Sequence, residues 1–229
     1  MPATPAWPPK SAPRLFVTEP LAAGTLVRIE GNPAHYLTRV MRVATGDAVI
    51  LCDDVTGEWA TRVSDAGKRD VLLDVVEKLR EREAVPDLWL CPALLKKDRF
   101  DLVLEKATEL GVAAIRPLVT RRCVADKLNL DRARNAVVEA AEQCARTALP
   151  TIAEPVSLDA LLRGWPDDRT LFFADENGGT PAAVAFADSS GPSALLTGPE
   201  GGFDDAERAA IRAHPRAVAI SLGPRILRG

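Results

Sequence analysis

The feature that most constrains the fold is a change in the rhythm of apolar segments near residue 82. Before that point, short β-prone segments follow one another with turns between them, a pattern typical of a small β domain. After it, apolar strands alternate with helical segments, which predicts a parallel sheet flanked by helices. The sequence therefore predicts two domains, a β domain over residues 1–81 and an α/β domain over residues 82–229.

The first domain combines five predicted strands with one short helix, an arrangement that favours a small barrel. The helix is predicted over residues 35–41, with Asn32 as its N-cap and Pro33 in its first turn. The charged residues 77–86 predict a linker to the second domain. The predicted strands cover residues 15–17, 25–29, 48–52, 59–63 and 71–76.

Two long helices are clearly marked in the second domain. Asp98 is predicted to cap the first helix and Gly111 to end it, while an apolar stripe that includes Leu110 faces the sheet. Asp131 is predicted to open the second helix, which runs to about residue 148. A third, shorter helix begins near residue 204, with Asp204 or Asp205 as its cap. The predicted strands cover residues 88–94, 113–119, 171–174, 194–197 and 217–222.

Composition excludes several classes of function. The apolar segments have the length of strands, so no membrane span is predicted. Four cysteines without a C-x-x-C pair and two histidines give no recognisable ligand spacing, so we expect no metal site, free thiols and a cytoplasmic location. A formal net charge of −3 argues against a protein that coats nucleic acid non-specifically, but it leaves open a local RNA-binding patch.

Two glycine-containing segments follow predicted strands of the second domain. Residues 198–203 read Gly-Pro-Glu-Gly-Gly-Phe, and residues 221–228 read Ser-Leu-Gly-Pro-Arg-Ile-Leu-Arg. In open α/β sheets ligands bind at the carboxyl ends of the strands, which is where both segments lie. Neither has the G-x-G-x-x-G order of a dinucleotide fold or the lysine of a P-loop. Taken singly, each segment also fits an ordinary surface turn.

Together the two segments resemble the SPOUT methyltransferases, and in particular the bacterial family that methylates N3 of a uridine in 16S ribosomal RNA. Residues 106–112, read Lys-Ala-Thr-Glu-Leu-Gly-Val, and 139–146, read Glu-Ala-Ala-Glu-Gln-Cys-Ala-Arg, are similar to the catalytic domain of that family. Residues 13–17 and 35–42 are similar to its PUA-like domain, so the resemblance covers nearly the whole chain.

The resemblance implies a PUA-like β-barrel followed by a trefoil-knotted α/β methyltransferase domain. It also implies a homodimer, S-adenosylmethionine as the cofactor, and 16S ribosomal RNA or the small ribosomal subunit as the partner, with no membrane and no metal. Three loops at the carboxyl edge are expected to hold the cofactor. The candidate cofactor-binding residues are Phe173, Ala174, Leu196, Thr197, Gly198, Glu200, Gly201, Ser221, Leu222, Gly223, Ile226, Leu227 and Arg228.

Catalytic and RNA-binding candidates come from the same resemblance. Glu142 and Arg146, four residues apart on a predicted helix, are expected to line the active site, where a carboxylate takes the N3 proton and an arginine stabilises charge on the ring oxygens. The alternative for this pair is a solvated ion pair. Arg14, Arg39 and Arg42 are expected to contact RNA phosphates, and their alternative is surface charge on the β domain.

One departure from the family pattern concerns the end of the sequence. The family continues after Ile-Leu-Arg with Thr-Glu-Thr-Ala and a helix that covers the cofactor, whereas this sequence ends at Gly229. The expectation is a poorly ordered third loop and weak cofactor binding. Two other functions stay open at this stage: methylation of another RNA, either a tRNA or a ribose 2′-hydroxyl, and a catalytically silent role in RNA binding or ribosome assembly.

Overall fold

The computed structural model describes residues 7–223, and its contacts divide the chain into two compact units. The first unit combines the chain up to Ala84 with Ala141–Leu149, and the second combines Val85–Ala140 with the chain from Pro150 onward. The single boundary predicted after residue 81 stays a prediction. What the sequence did not indicate is that a short segment from the middle of the chain belongs with the first unit.

The first unit is a five-stranded sheet in the order β1-β3-β4-β5-β2. Strand β1 pairs with β3 in parallel, and the other pairings are antiparallel. The side chains of Leu37, Leu51 and Leu73 are completely buried in its core. The elements are β1 (Arg14–Phe16), β2 (Leu26–Glu30), helix α1 (Gly31–His35), a π-helical turn (Tyr36–Val40), β3 (Ala48–Asp53), β4 (Gly57–Ala66) and β5 (Asp70–Arg80).

Two details of the first unit correct the sequence prediction. Helix α1 begins at Gly31, which has a φ of +66°, and Glu30 occupies the N-cap position, so Asn32 lies inside the helix and does not cap it. Strand β5 extends to Arg80, so the first part of the predicted linker over residues 77–86 is strand. Its charged side chains are exposed, which is why the segment reads as a linker in the sequence.

The second unit is built on a seven-stranded parallel sheet in the order β12-β14-β11-β13-β6-β7-β9, with a separate short pair of β8 and β10. Its strands are β6 (Leu88–Pro92), β7 (Ala114–Ile115), β8 (Leu118–Val119), β9 (Thr151–Ile152), β10 (Val156–Ser157), β11 (Thr170–Ala174), β12 (Thr180–Pro181), β13 (Ser193–Thr197) and β14 (Ala217–Ser221). Its helices are α2 (Lys97–Glu109), α3 (Leu130–Cys144), α4 (Leu158–Arg163), α5 (Ala182–Ala187) and α6 (Asp205–Ala213), and the last residues of α3 count with the first unit.

Both faces of the parallel sheet are covered. Leu171 and Phe173 of β11 pack on one face with Ile211 of α6, whereas Phe172 packs on the other face with Ala185 of α5. This two-sided burial explains why β11 and β13 are nearly continuous apolar segments in the sequence. Within residues 7–223, no helix has the length and apolarity needed to cross a bilayer.

Helix α2 differs from its prediction at both ends. It begins at Lys97 after Lys96, so Asp98 lies in its first turn and does not cap it. Gly111, with a φ of +85°, follows the end of the helix as predicted, but Leu110 is 82% exposed and does not join the apolar stripe. The predicted strand over residues 113–119 is two short strands, β7 and β8, because Arg116 and Pro117 interrupt it.

Candidate functional site

Three loops of the second unit meet at one edge of the parallel sheet. Strand β11 lies between β13 and β14, with Phe173 paired with both Leu196 and Ala219. The loops that follow these strands therefore leave the same carboxyl edge side by side, which is where open α/β sheets bind ligands. They begin at Asp175, Gly198 and Leu222, so the sheet brings the segments predicted from the sequence together.

The candidate residues on the strands differ in what they can offer to a ligand. The side chains of Phe173 and Leu196 are completely buried in the core beneath the edge, whereas Ala174 and Thr197 are half-buried. Phe173 also packs edge-on against Phe203, with ring centroids 5.3 Å apart. Phe173 and Leu196 therefore form the floor of the edge rather than its ligand-facing surface.

The loop after β13 needs glycine for close packing. A Cβ on Gly198 would lie 2.9 Å from the ring of Phe203, and one on Gly202, whose φ is +67°, would lie 2.8 Å from the Glu176 carboxylate. The carbonyl oxygen of Gly201 accepts a hydrogen bond of 2.8 Å from Arg122 Nη1. Glu200 is exposed, so its carboxylate is available to donors of a ligand.

A buried carboxylate links the loop after β11 to helix α6. Asp175, whose side chain has no exposed surface, accepts hydrogen bonds from Arg208, from Arg212 Nε at 2.8 Å and from the amide of Asn177 at 2.9 Å. Burial alone would raise the pKa of Asp175, but these hydrogen bonds and the two arginine charges outweigh burial and hold that pKa below its ordinary value.

Arg208 extends this network to the loop after β13, residues 198–203, here called the glycine loop. Its Nη2 atom donates to Glu176 Oε1 at 2.7 Å and to the carbonyl oxygen of Phe203 at 3.3 Å. Sequence reasoning missed Arg208 and Asp175 as residues that organise the edge. The local signal in the sequence is the acidic pair directly after β11, but it does not identify the cation, 33 positions away, that pairs with Asp175.

Helix α6 begins with a capping box that also connects to the loop after β8. Asp204 is the N-cap, accepting from the amide of Glu207 at 2.7 Å, while Glu207 Oε2 accepts from the amide of Asp204 at 3.1 Å. Arg121 binds both carboxylates: its amide donates to Glu207 Oε1 and its Nη1 atom donates to Asp204 Oδ2, both at 2.8 Å. The prediction of Asp204 or Asp205 as the cap is confirmed for Asp204.

The third loop is described only at its beginning. Ser221 is half-buried, Leu222 is 50% exposed and Gly223 has a φ of +112°. Ile226, Leu227 and Arg228 lie outside the described residues, so their assignment to the cofactor site stays a prediction.

The two catalytic candidates belong to the first unit, whereas the glycine-containing loops belong to the second. Glu142 Oε1 accepts a hydrogen bond of 2.8 Å from the amide of Phe16. Arg146 is buried with its Nε atom 3.6 Å from Glu83 Oε1, and burial lowers the pKa of its guanidinium. Helix α3 ends at Cys144, so the expectation that Glu142 and Arg146 share one helix is wrong. Their catalytic roles stay predictions.

The three RNA-binding candidates have different surroundings. Arg39 and Arg42 are exposed, one in the π-helical turn and the other just after it, where Arg42 has a φ of +55°. Val40 beside them is 62% exposed. Arg14 is instead held by the buried Glu58, with its Nε atom 2.8 Å from Glu58 Oε1. The structure thus places Arg39 and Arg42 on one exposed turn and gives Arg14 a partner inside the unit.

A parallel α/β unit with three loops at its carboxyl edge, preceded by a small β unit, fits an enzyme that binds its ligand at that edge. Family models agree: an RNA methyltransferase domain matches residues 81–229, and an RNA methyltransferase PUA domain matches residues 29–76. The chain belongs to this RNA methyltransferase family, and both the predicted family and the predicted fold class are confirmed, apart from the knot, which stays a prediction.

Curated relatives and solved structures specify the similarity. The chain is 31% identical to ribosomal RNA small subunit methyltransferase E of Synechocystis, over 94% of this chain and 72% of the relative. It is also 31% identical to the protein of the same name from Bacillus subtilis, over 87% of this chain and 83% of the relative. A structure of ribosomal RNA small subunit methyltransferase E from Neisseria gonorrhoeae bound to S-adenosylmethionine superposes with a TM-score of 0.84 at 26% identity, covering 95% of this chain and 91% of the other.

Proposed function

We propose that this chain transfers the methyl group of S-adenosylmethionine to N3 of a uridine in 16S ribosomal RNA. The observation that carries the proposal is the meeting of the loops after β11, β13 and β14 at one carboxyl edge. The similarity to proteins named ribosomal RNA small subunit methyltransferase E supports the ribosomal substrate. The choice of uracil N3 and of 16S ribosomal RNA rests on the family resemblance of the sequence.

The residues of the edge fit S-adenosylmethionine. Glycine at positions 198 and 202 lets this loop fold closely against Phe203 and Glu176, where Cβ atoms would clash. Gly201 in the same loop is exposed, so its backbone is accessible to a ligand. Glu200 supplies an exposed carboxylate for the hydroxyl or amine donors of the cofactor. The cofactor supplies an electrophilic methyl group on a sulfonium, and the protein has to hold that methyl in line with the attacking nitrogen.

The chemistry assigned to the protein is removal of one proton and stabilisation of charge. Uracil N3 carries a weakly acidic proton that must leave as the nitrogen attacks, and a carboxylate such as Glu142 is suited to accept it. The Arg146 guanidinium is suited to stabilise negative charge on the ring oxygens, and its burial strengthens that interaction. Both assignments follow the resemblance. Glu142 Oε1 also accepts a hydrogen bond from the amide of Phe16, and a carboxylate can accept several hydrogen bonds at once.

RNA binding is assigned first to the exposed turn of the first unit. Arg39 and Arg42 are exposed there, and arginine binds phosphate in a bidentate manner. The chain is further proposed to act as a homodimer in the cytoplasm, with the small ribosomal subunit as the particle that presents the base. These three points also follow the family resemblance.

The decisive experiment maps the product. The protein is incubated with S-adenosylmethionine and small ribosomal subunits that lack the modification, and the methylated nucleotide is located by mass spectrometry. A single 3-methyluridine in 16S ribosomal RNA is the expected result. Methylation of a tRNA or of a ribose 2′-hydroxyl would overturn the substrate assignment, and binding of RNA without cofactor binding would indicate a catalytically silent protein.

A further inference from the structure

Five exposed cations follow the carboxyl ends of β6 and β8 in the chain, without ion-pair partners among the described residues. The group, here called the basic edge, comprises Lys96, Lys97, Arg99, Arg122 and Lys127. Within residues 7–223 no carboxylate lies within 4 Å of any of these five charges. By contrast, the neighbouring Arg121 and Arg132 are engaged by Asp204 and Asp101. Two exposed carboxylates, Asp98 and Asp126, accompany the five cations, so a positive excess remains.

The two segments that carry the basic edge leave the sheet from hydrogen-bonded positions. The amide of Leu94 donates to the carbonyl oxygen of Leu118 at 2.9 Å, and the amide of Ala93 donates to that of Thr197 at the same distance. Lys96 therefore follows shortly after the end of β6, and Arg122 shortly after the end of β8, both at the carboxyl edge. Because Thr197 precedes the glycine loop, the cations flank the proposed cofactor site.

Arg122 joins the basic edge directly to the glycine loop. Its Nη1 atom donates to the carbonyl oxygen of Gly201 at 2.8 Å, and its Cβ atom lies 3.4 Å from the position of a Cβ on Gly201. The other three N–H groups of the guanidinium, one on Nε and two on Nη2, have no hydrogen-bond partner among the described residues, so they can donate to a ligand. A phosphate bound there would lie next to the cofactor loop.

The placement of the three cations around the start of α2 is not explained by stability. Lys96 is the N-cap without a side-chain capping bond, and Lys97 and Arg99 lie in the first turn. Positive charges at a helix N-terminus are unfavourable because they oppose the helix dipole. A cluster that weakens its own helix and is not neutralised within the unit indicates a function in binding an anion.

We infer that the basic edge binds the RNA backbone beside the target nucleotide, as a second RNA contact located on the catalytic unit. The inference rests on the proposed function, because it takes RNA as the substrate. The chain has a formal net charge of −3, so overall charge does not attract RNA and local cations must do so. On the neighbouring loops the exposed carboxylates of Glu176 and Glu200 repel phosphate. The RNA backbone is therefore expected to bind on the side of the loops that follow β6 and β8.

The test neutralises the three cations of the basic edge around the start of α2 and compares this variant with a control at the opposite edge of the sheet. The first variant combines Lys96→Gln, Lys97→Gln and Arg99→Gln, and a charge-conserving variant combines Lys96→Arg, Lys97→Arg and Arg99→Lys. The control combines Arg163→Gln and Arg216→Gln, two exposed arginines that precede β11 and β14 at the opposite edge. For each protein, affinity for 16S ribosomal RNA is measured as a function of salt, together with cofactor affinity and thermal stability.

The neutralised variant is expected to bind RNA about tenfold more weakly, with the slope of log affinity against log salt reduced by about 2, since each lost contact to single-stranded RNA removes about 0.7. Its cofactor affinity stays at the wild-type level and its stability does not fall, because the removed charges oppose the dipole of α2. The charge-conserving variant and the control keep the wild-type slope. An unchanged slope in the neutralised variant, or an equal loss in the control, overturns the inference. Failure of the wild-type protein to bind RNA at all would instead refute the proposed function.

Discussion

At the scale of single residues, Arg14 shows how a surface charge in the sequence becomes an internal one in the structure. Glu58 is buried and binds both Arg14 and Arg80, whose Nε atom lies 2.5 Å from Glu58 Oε2. Burial alone would raise the pKa of Glu58, but the hydrogen bonds from Arg80 and Arg14 lower it. Glu58 lies 44 positions from Arg14 in the chain, so no local pattern in the sequence predicts this pair. The simplest role for Arg14 is therefore to satisfy Glu58.

The expected effect of Arg14→Ala is a loss of stability. Removing one partner of a largely buried carboxylate leaves that charge less compensated, so we expect the free energy of unfolding to fall by roughly 2 kcal/mol. Arg39→Ala, at an exposed position, is the matched control and should change stability by less than about 0.5 kcal/mol while weakening RNA binding. Chemical denaturation and RNA titration of both variants separate the roles. An Arg14 variant of wild-type stability would return Arg14 to the group of phosphate contacts.

Asp175 gives the second unit a defined response to acid. Because its folded-state pKa lies below the ordinary value of 3.8, the carboxylate stabilises the fold fully above that value, and this stabilisation is lost as the pH falls below it. Asp175→Asn should remove this component, so the variant is less stable than the wild type at neutral pH and the difference narrows in acid. Thermal unfolding measured between neutral pH and about pH 3 checks the sign. A difference that widens in acid would contradict the ion pairs with Arg208 and Arg212.

At the scale of elements, the sequence predicts existence and order well and boundaries less well. Strands β11 and β13 were predictable because both faces of each are buried, which gives continuous apolar segments. The end of α2 was harder, because Leu110 has the helical spacing of the stripe but follows the last helical residue and is exposed. The predicted helix over residues 35–41 is a π-helical turn over Tyr36–Val40, in which Leu37 is buried in the core.

The candidate site was predictable to a similar extent. The glycine segments are local motifs, and the strand order brings them together as expected. The network of Asp175, Glu176 and Arg208 was not predictable, because it joins residues more than 30 positions apart that have ordinary neighbours in the sequence. Local patterns thus identify which loops form the edge, whereas the ion pairs that hold those loops are long-range and need the structure.

Helix α6 allows a test of the coupling between capping and the cofactor loop. Asp204→Ala removes the side chain that caps the helix and binds Arg121, so the free energy of unfolding should fall by about 1 kcal/mol. Because Asp204 directly follows the glycine loop and Phe203, cofactor affinity should fall as well. Asp205→Ala is the control, since Asp205 is exposed and does not cap the helix. Cofactor affinity is measured by calorimetry. Equal affinities in the two variants would show that the cap of α6 does not affect cofactor binding.

At the scale of the whole molecule, the segment 141–149 decides how the candidate catalytic residues are held. It belongs with the first unit, and polar contacts attach it there. Glu83 Oε1 accepts from the amides of Thr147 and Ala148 at 2.9 and 3.2 Å, and the amide of Glu83 donates to Thr147 Oγ1 at 2.8 Å. Asp54 Oδ1 accepts from the amide of Leu149 at 3.0 Å. The β unit thus positions the chain around Arg146, in addition to its proposed contact with RNA.

This arrangement predicts that Glu83 affects turnover rather than cofactor binding. Glu83→Ala removes the hydrogen bonds from the amides of Thr147 and Ala148 and the carboxylate beside Arg146. We therefore expect a loss of roughly 1–2 kcal/mol of stability and a fall in kcat of about tenfold. The KM for S-adenosylmethionine should not change, because the three cofactor loops lie in the second unit. Glu81→Ala is the matched control, since that side chain is 78% exposed and its ion-pair partner is Lys78. Because instability alone lowers the amount of active enzyme, kcat is normalised to the folded fraction at each temperature. A normalised kcat equal to that of the control would mean that the segment does not position the reacting groups, and Arg146 would then be a structural residue of the first unit.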